Sequence, residues 1–224
     1  MQIFDTNKGV LDKLRDSRSD PFWKEIVELL RSGGVLVFPT ETSYGIGCDA
    51  TNDAAVAKVF AAKNRPDGKG TPVLVSSVEQ AERYVMMSPK AKKLAEKYWP
   101  GALNLVLPVR EMLHHTDDRP YDETSDFTSS RCATDGTQSV RVSSHPFVQE
   151  LFKHFDRPIV ATSANPSGSD ALYDVSHLEG IFGDRAKFID GAVDIGPLPI
   201  VPASTTIRVT GDQIEILRHG SIKL

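Results

Sequence analysis

Short apolar runs, each closed by glycine, proline or hydroxyl-bearing residues, alternate along the chain with stretches whose apolar residues repeat at helical spacing. That alternation restricts the chain to a layered α/β architecture. Asp20-Pro21 opens a first helix as N-cap and first-turn proline, Phe22, Ile26, Leu29 and Leu30 share one of its faces, and Gly33-Gly34 stop it. The run Val35-Leu36-Val37-Phe38 follows at once as a strand. Asn52 or Asp53 caps a second helix, with Val56, Val59 and Phe60 on one face, and residues 72–75 read as a short buried strand. Ser77 with Gln80 forms a capping box, and Ser88-Pro89 starts a helix running to about Tyr98.

Residues 103–107, 140–142 and 158–161 then read as strands, with a helix over 147–155 before the last of them. A short helix over 175–182, a strand near Phe188 and a hairpin of 205–209 with 214–217 around Thr210-Gly211-Asp212 complete the order. The expected fold is one α/β domain over residues 20–224, a twisted mixed sheet flanked by helices, after a lead-in of residues 1–19. Residues 111–138 break the pattern: they are polar, acidic, without periodicity and too long for an ordinary connection, and they read as a mobile excursion in the manner of a lid.

Composition narrows the function classes. A 40% hydrophobic fraction over 224 residues supplies a real core, and the net charge of -4 argues against a protein that coats nucleic acid by bulk electrostatics. Any cationic site must therefore be local. Cys48 and Cys132 stand far apart with no CxxC or Cys/His spacing, which suggests a reducing compartment, and the six histidines show no metal-ligand spacing, His114-His115 included. The N-terminus lacks a signal segment and no run is apolar enough to span a bilayer, so the expected location is the cytoplasm.

The motifs that carry chemistry lie at the ends of the apolar runs. PTETSYGIG, residues 39–47, is a polar, glycine-punctuated turn after a strand. AKNRPDGKGTP, residues 62–72, crowds Lys63, Arg65 and Lys69 at a helix end. Cations there suit the helix dipole in any protein, but a point charge and a guanidinium fork beside glycines also suit a polyphosphate. The run is not a GxxxxGK[ST] phosphate loop. TSANPSG, residues 162–168, offers Ser163 and Asn165 as neutral hydrogen-bonding groups at a strand end, without the elbow or base of a nucleophilic serine. Arg141 lies within a strand, where a guanidinium is costly to bury unless it meets an anion; Ser204 and Arg218 mark the ends of two more runs. Trp99-Pro100-Gly101 reads as a helix stop with a buried indole.

Taken in order, PTETSYGIG, KNRP, WPGALNLVLP, SVRV, PIVATSANPSG, ASTTIRV and ILRHG resemble the YrdC/TsaC family of L-threonylcarbamoyladenylate synthases, from about Gly33 to Gly220. The resemblance implies a mixed α/β sheet with a concave cationic cavity. It also implies an enzyme, a nucleotidyltransferase, that joins L-threonine, bicarbonate and ATP with Mg2+ into threonylcarbamoyl-AMP and releases pyrophosphate. Partner proteins would then transfer the threonylcarbamoyl group to tRNA beside the anticodon, and contact with tRNA or double-stranded RNA is a further implied partner. By position, the threonine-binding residues fall on Thr42, Arg141 and Ser204. The ATP-binding set falls on Lys63, Arg65, Thr137, Ser163, Asn165 and Arg218, with Lys63 and Arg65 as the catalytic cations and no protein metal site. Thr40 and Glu41 read as structural, with Thr40 an alternative second contact because residues 40 and 42 of a strand point the same way.

The chain departs from the family pattern in four places: a longer loop after Arg65, Ser76 where many members carry histidine, Arg141-Val142-Ser143 in place of RVP, and the length of the acidic excursion. By the same resemblance the expected form is the short one, without the extra C-terminal domain. Two other readings stand beside the synthase: a family paralogue acting on another carbamoyl-type substrate, and a double-stranded RNA or tRNA binding module, which predicts RNA binding steeply sensitive to salt.

Overall fold

The computed structural model describes residues 1–5, 21–66, 68–110 and 128–224. The expected excursion over 111–138 lies largely outside the described residues, as does His114-His115; its last part is described and carries β6 and the start of β7.

Six helices are described: α1 (Pro21–Arg31), α2 (Asp53–Lys63), α3 (Val78–Tyr84), α4 (Pro89–Tyr98), α5 (Pro146–His154) and α6 (Leu178–Phe182). The capping residues read from sequence set their boundaries. Asn52 accepts from the Ala55 amide at 3.0 Å and starts α2, which resolves the choice between Asn52 and Asp53. Ser77 caps α3 by accepting from the Gln80 amide at 3.2 Å. Its reciprocal half differs from a capping box: the Gln80 side chain accepts from the Ser76 amide and donates to the Asp156 carbonyl, tying α3 to the end of α5. No described helix is long and apolar enough to cross a membrane.

The strands are β1 (Gln2–Asp5), β2 (Leu36–Pro39), β3 (Tyr44–Gly47), β4 (Val73–Leu74), β5 (Leu103–Pro108), β6 (Ala133–Thr134), β7 (Thr137–Arg141), β8 (Ile159–Val160), β9 (Thr162–Ser163), β10 (Gly191–Asp194), β11 (Thr205–Thr210) and β12 (Gln213–Arg218). The mixed α/β fold is as expected, but the strands divide between two mixed sheets. One runs β1-β10-β2-β3-β9 and the other β12-β11-β5-β7-β4-β8, with β6 paired to β7. The strand expected over residues 158–161 is β8, and the chain passes from the second sheet to the first just after it, between β8 and β9.

Alternation explains why both faces of β2 are filled. Leu36 and Phe38 enter a cluster with Trp23, Ile26 and Leu30 of α1 and Phe147 and Leu151 of α5. Val35 and Val37 enter another, with Val56, Val59 and Phe60 of α2. A third cluster joins α3 and α4 to β5, β7 and β11 through Ala81, Ala91, Leu105, Val140 and Ile207. In α1 the buried face centres on Trp23, Ile26 and Leu30, with Phe22 and Leu29 at its margin.

Three local expectations change. Tyr44–Gly47 is a strand, antiparallel to β2 with Pro39 opposite Tyr44, so the opening motif is a hairpin whose polar tip is residues 40–43. The strand expected near Phe188 is a 3-10 helix over Gly183–Phe188, and the strand lies just after it at β10, where Gly191 and Ala192 pair with β2 and the whole strand pairs with β1. Gln2–Asp5, within the expected lead-in, forms β1 of the first sheet.

Candidate active site

A cavity of about 330 Å³ opens where the two sheets meet. Its wall is supplied by the β2–β3 tip, Pro72 before β4, Asn104 of β5, the end of β7, the β9 segment with the loop after it, the stretch before β11 and the end of β12. Of the residues singled out in the sequence, Thr42, Arg141, Ser163, Asn165, Ser204 and Arg218 line it. These come from positions as far apart as 42 and 218, and the strand ends bring them together.

The hairpin tip is held by its own hydroxyls. Thr40 Oγ1 donates to the Ser43 carbonyl at 2.7 Å and lies 3.3 Å from Thr42 Oγ1, so Thr40 shapes the turn that presents Thr42. Behind the tip, β3 runs close against β8: a side chain added at Gly47 would place its Cβ 1.7 Å from the Val160 carbonyl oxygen.

Arg141, only 5% exposed, meets the anion that its burial requires. Its Nη1 donates to Glu41 Oε1 at 3.1 Å and to Ser204 Oγ at 3.2 Å. Among the described residues, Nε and Nη2 of this guanidinium have no hydrogen-bond partner. Ser143 Oγ donates to the other Glu41 oxygen at 2.6 Å, and the Ser144 amide to Oε1 at 3.4 Å. Burial holds Arg141 below the usual arginine range; Glu41 opposes that shift and Arg218 adds to it. Arg218 donates through Nε to the Ser204 carbonyl at 2.9 Å, so one serine is tied to both arginines.

Lys63 stands behind the wall. Its Nζ donates to the Ser163 carbonyl, to the Asn165 carbonyl at 2.7 Å and to Asn165 Oδ1 at 3.2 Å, while Ser163 Oγ donates to the same Oδ1 at 2.6 Å. Burial, with a smaller push from Arg65, brings the Lys63 pKa down to about 7. Lys63 thus fixes the backbone that presents Ser163 and Asn165 and does not itself line the cavity. Arg65 and Thr137 are also absent from the lining. Arg65 donates to the carbonyls of Lys69, at 2.9 Å, and Gly70, and lines a separate shallow depression with Asn64 and Arg131. Thr137 Oγ1 donates to the Thr134 carbonyl at 2.8 Å, closing the β6–β7 turn. Trp99 is half-buried, its indole donating to the Leu103 carbonyl at 2.7 Å.

Sequence reasoning did not single out Glu41, Asn104, Asp170 or Tyr173 as site residues. The last three line the cavity, and Glu41 supplies the charge that Arg141 meets. A signal for Glu41 was present: a strand arginine needs an anion, and Glu41 is the acid beside Thr42. For Asp170 and Tyr173 there was none, because the loop after β9 has no periodicity that fixes where its side chains lie.

The Sua5/YciO/YrdC family model, described as telomere recombination, matches residues 28–220. A Bacillus subtilis protein named threonylcarbamoyl-AMP synthase is 36% identical over 216 residues, covering 95% of this chain and 57% of that protein. A Photobacterium profundum protein of the same name is 34% identical over 169 residues, covering 74% of this chain and 84% of that one. The crystal structure of Pyrococcus abyssi Sua5 complexed with L-threonine superposes with a TM-score of 0.76 at 29% identity, over 98% of this chain and 58% of that one. The chain therefore spans little more than half the length of the Bacillus and Pyrococcus proteins.

Proposed function

We propose, from the premise that the chain belongs to the Sua5/YciO/YrdC family, that it forms L-threonylcarbamoyl-AMP from L-threonine, bicarbonate or CO2, and ATP, for the threonylcarbamoyl modification of tRNA. The observation that carries the reading is the convergence of Thr42, Arg141 and Ser204 with Ser163, Asn165 and Arg218 on one cavity. Two guanidinium groups, the Asp170 carboxylate and a set of neutral hydroxyl and amide groups, with no nucleophile and base in partnership among the described residues, suit a reaction that depends on positioning and on neutralising phosphate charge.

In this proposal the free donors of Arg141 take the threonine carboxylate, with Thr42 and Ser204 beside it. The amine adds to carbon dioxide with loss of a proton, or to bicarbonate with loss of water, to give a carbamate. A carbamate oxygen then attacks the α-phosphorus of ATP, the bond to the bridging oxygen breaks, and pyrophosphate leaves. Arg218, Ser163 and Asn165 hold the nucleotide. Lys63 acts through the oxygens it grips at Ser163 and Asn165, while Arg65 and Thr137, the other members of the expected nucleotide set, lie outside the cavity lining and would reach the nucleotide only from beyond it. Among the described residues no three His, Cys, Asp or Glu side chains converge as a metal site, and Mg2+ enters as the counter-ion of ATP. Proteins that pass the group to tRNA would be the downstream partners.

The test is pyrophosphate release from Mg-ATP with bicarbonate, in the presence of threonine, serine or no amino acid, with the nucleotide product identified by mass. Threonine- and bicarbonate-dependent release with threonylcarbamoyl-AMP formed is expected. Folded protein that turns over ATP without either co-substrate, or not at all, would refute the proposal.

A further inference from the structure

Asn104 is a buried polar side chain that the structure leaves half satisfied. It is 3% exposed and lies on β5, a strand otherwise filled with leucine and valine. Its Nδ2 donates to Thr206 Oγ1 of the neighbouring β11 at 3.2 Å. Its Oδ1 is buried without a hydrogen-bond partner. A buried acceptor with nothing to accept destabilises the fold, and such a group within a pocket wall is where a ligand donor gains most.

The register places Asn104 beside the charged end of the cavity. β5 and β7 pair antiparallel with Val106 opposite Ser139 and Leu105 opposite Val140, and one further step sets Asn104 opposite Arg141. β5 and β11 pair with Asn104 opposite Thr206. Opposed residues share a face, and Asn104 and Arg141 both line the cavity. The pair thus offers a guanidinium with free donors and, one strand away, a carbonyl with a free lone pair. Arg141 can take only an acceptor and Asn104 Oδ1 only a donor.

We propose that Asn104 is a substrate-binding residue: its Oδ1 accepts a hydrogen bond from a donor on the small amino acid whose carboxylate lies on Arg141, either the side-chain hydroxyl or the amine. This rests on the proposed function, and it adds a residue that selects among amino acids by an acceptor that must be filled. A ligand without a matching donor would leave Oδ1 buried and unpaired, which is how a polar pocket rejects an apolar isostere.

Calorimetric titration of the whole chain with threonine and with 2-aminobutyrate, which lacks the hydroxyl, tests this. Asn104→Leu removes the acceptor while keeping the branching and the number of heavy atoms, and Asn104→Thr returns an oxygen acceptor on a residue that suits a strand; circular dichroism checks that both fold. Asn104→Leu should weaken threonine binding about tenfold, the worth of one well-made hydrogen bond, and Asn104→Thr should recover most of that loss. If the hydroxyl is the donor, Asn104→Leu weakens threonine alone; if the amine is, it weakens both ligands equally. The proposal is overturned if folded Asn104→Leu binds both ligands as the wild type does, or if Asn104→Thr is no better than Asn104→Leu. Wild-type protein that binds neither ligand would instead overturn the synthase reading, and this proposal with it.

Discussion

Replacing Arg141 separates what the buried ion pair does for the fold from what it does for the site. The Arg141 and Glu41 side chains are 6% and 15% exposed and their charged atoms lie 3.1 Å apart. Removing one partner of such a pair costs about 3–5 kcal/mol, because the other charge stays buried and uncompensated. In Arg141→Met the Glu41 carboxylate keeps the Ser143 hydroxyl at 2.6 Å and the Ser144 amide at 3.4 Å, so the low end, about 3 kcal/mol, is expected. For a domain of this size 1 kcal/mol corresponds to about 2–4 °C, which gives a fall in Tm of about 6–12 °C by circular dichroism. Glu41→Gln combined with Arg141→Met removes both charges and leaves an amide that still accepts from Ser143. That double variant should regain most of the lost stability, while threonine binding, measured by calorimetry, should be absent from both. The reasoning is refuted if Arg141→Met melts within about 2 °C of the wild type, or if the double variant is as unstable as the single one.

Lys63 gives a pH dependence of unusual sign. Its folded pKa of about 7 lies below the ordinary 10.5, so between those values the unfolded chain holds a proton that the folded chain lacks, and stability rises with pH across that window. Urea unfolding should show a slope of up to about 1.4 kcal/mol per pH unit there that Lys63→Met lacks; parallel curves for the two proteins would contradict it. Gly47→Ala should abolish soluble expression or lower the unfolding midpoint severely, since its Cβ would sit 1.7 Å from the Val160 carbonyl oxygen. A wild-type melt for that variant would show that β3 and β8 can part cheaply. Asn52→Ala removes the cap accepted from the Ala55 amide and should cost about 1 kcal/mol in urea unfolding, without altering threonine binding.

What the sequence made legible was what local chemistry determines. The helix caps at Asn52, Ser77 and Ser88 and the strand Leu36–Pro39 are each set by neighbours within a few residues. β3 was hidden because Tyr44–Gly47 carries two glycines, which weaken a strand pattern; here they permit close approach of β8 and of the Thr40 side chain. β1 was hidden because four residues paired to a strand nearly two hundred positions away leave no periodic trace. In the site, strand-end polar residues such as Thr42, Ser163 and Ser204 were legible because hydroxyl groups closing apolar runs need a reason to be there. Asn104 was not, since inside LNLVL a single amide reads as a core exception, and only the register opposite Arg141 gives it a role. The position of Lys63 behind Ser163 and Asn165 was illegible too, because the fold of the β9 segment decides which of its oxygens surround the amine.

The central claim is that one cavity joins an amino-acid carbamate to the α-phosphate of ATP. Incubating the protein with 13C-bicarbonate, Mg-ATP and threonine, and following 13C and 31P resonances together, reads that bond directly. A new 13C signal split by phosphorus, dependent on threonine and absent with Arg141→Met, is the predicted result. Label that remains in bicarbonate while folded wild-type protein leaves ATP unchanged, or cleaves it without a carbon–oxygen–phosphorus product, would contradict the account.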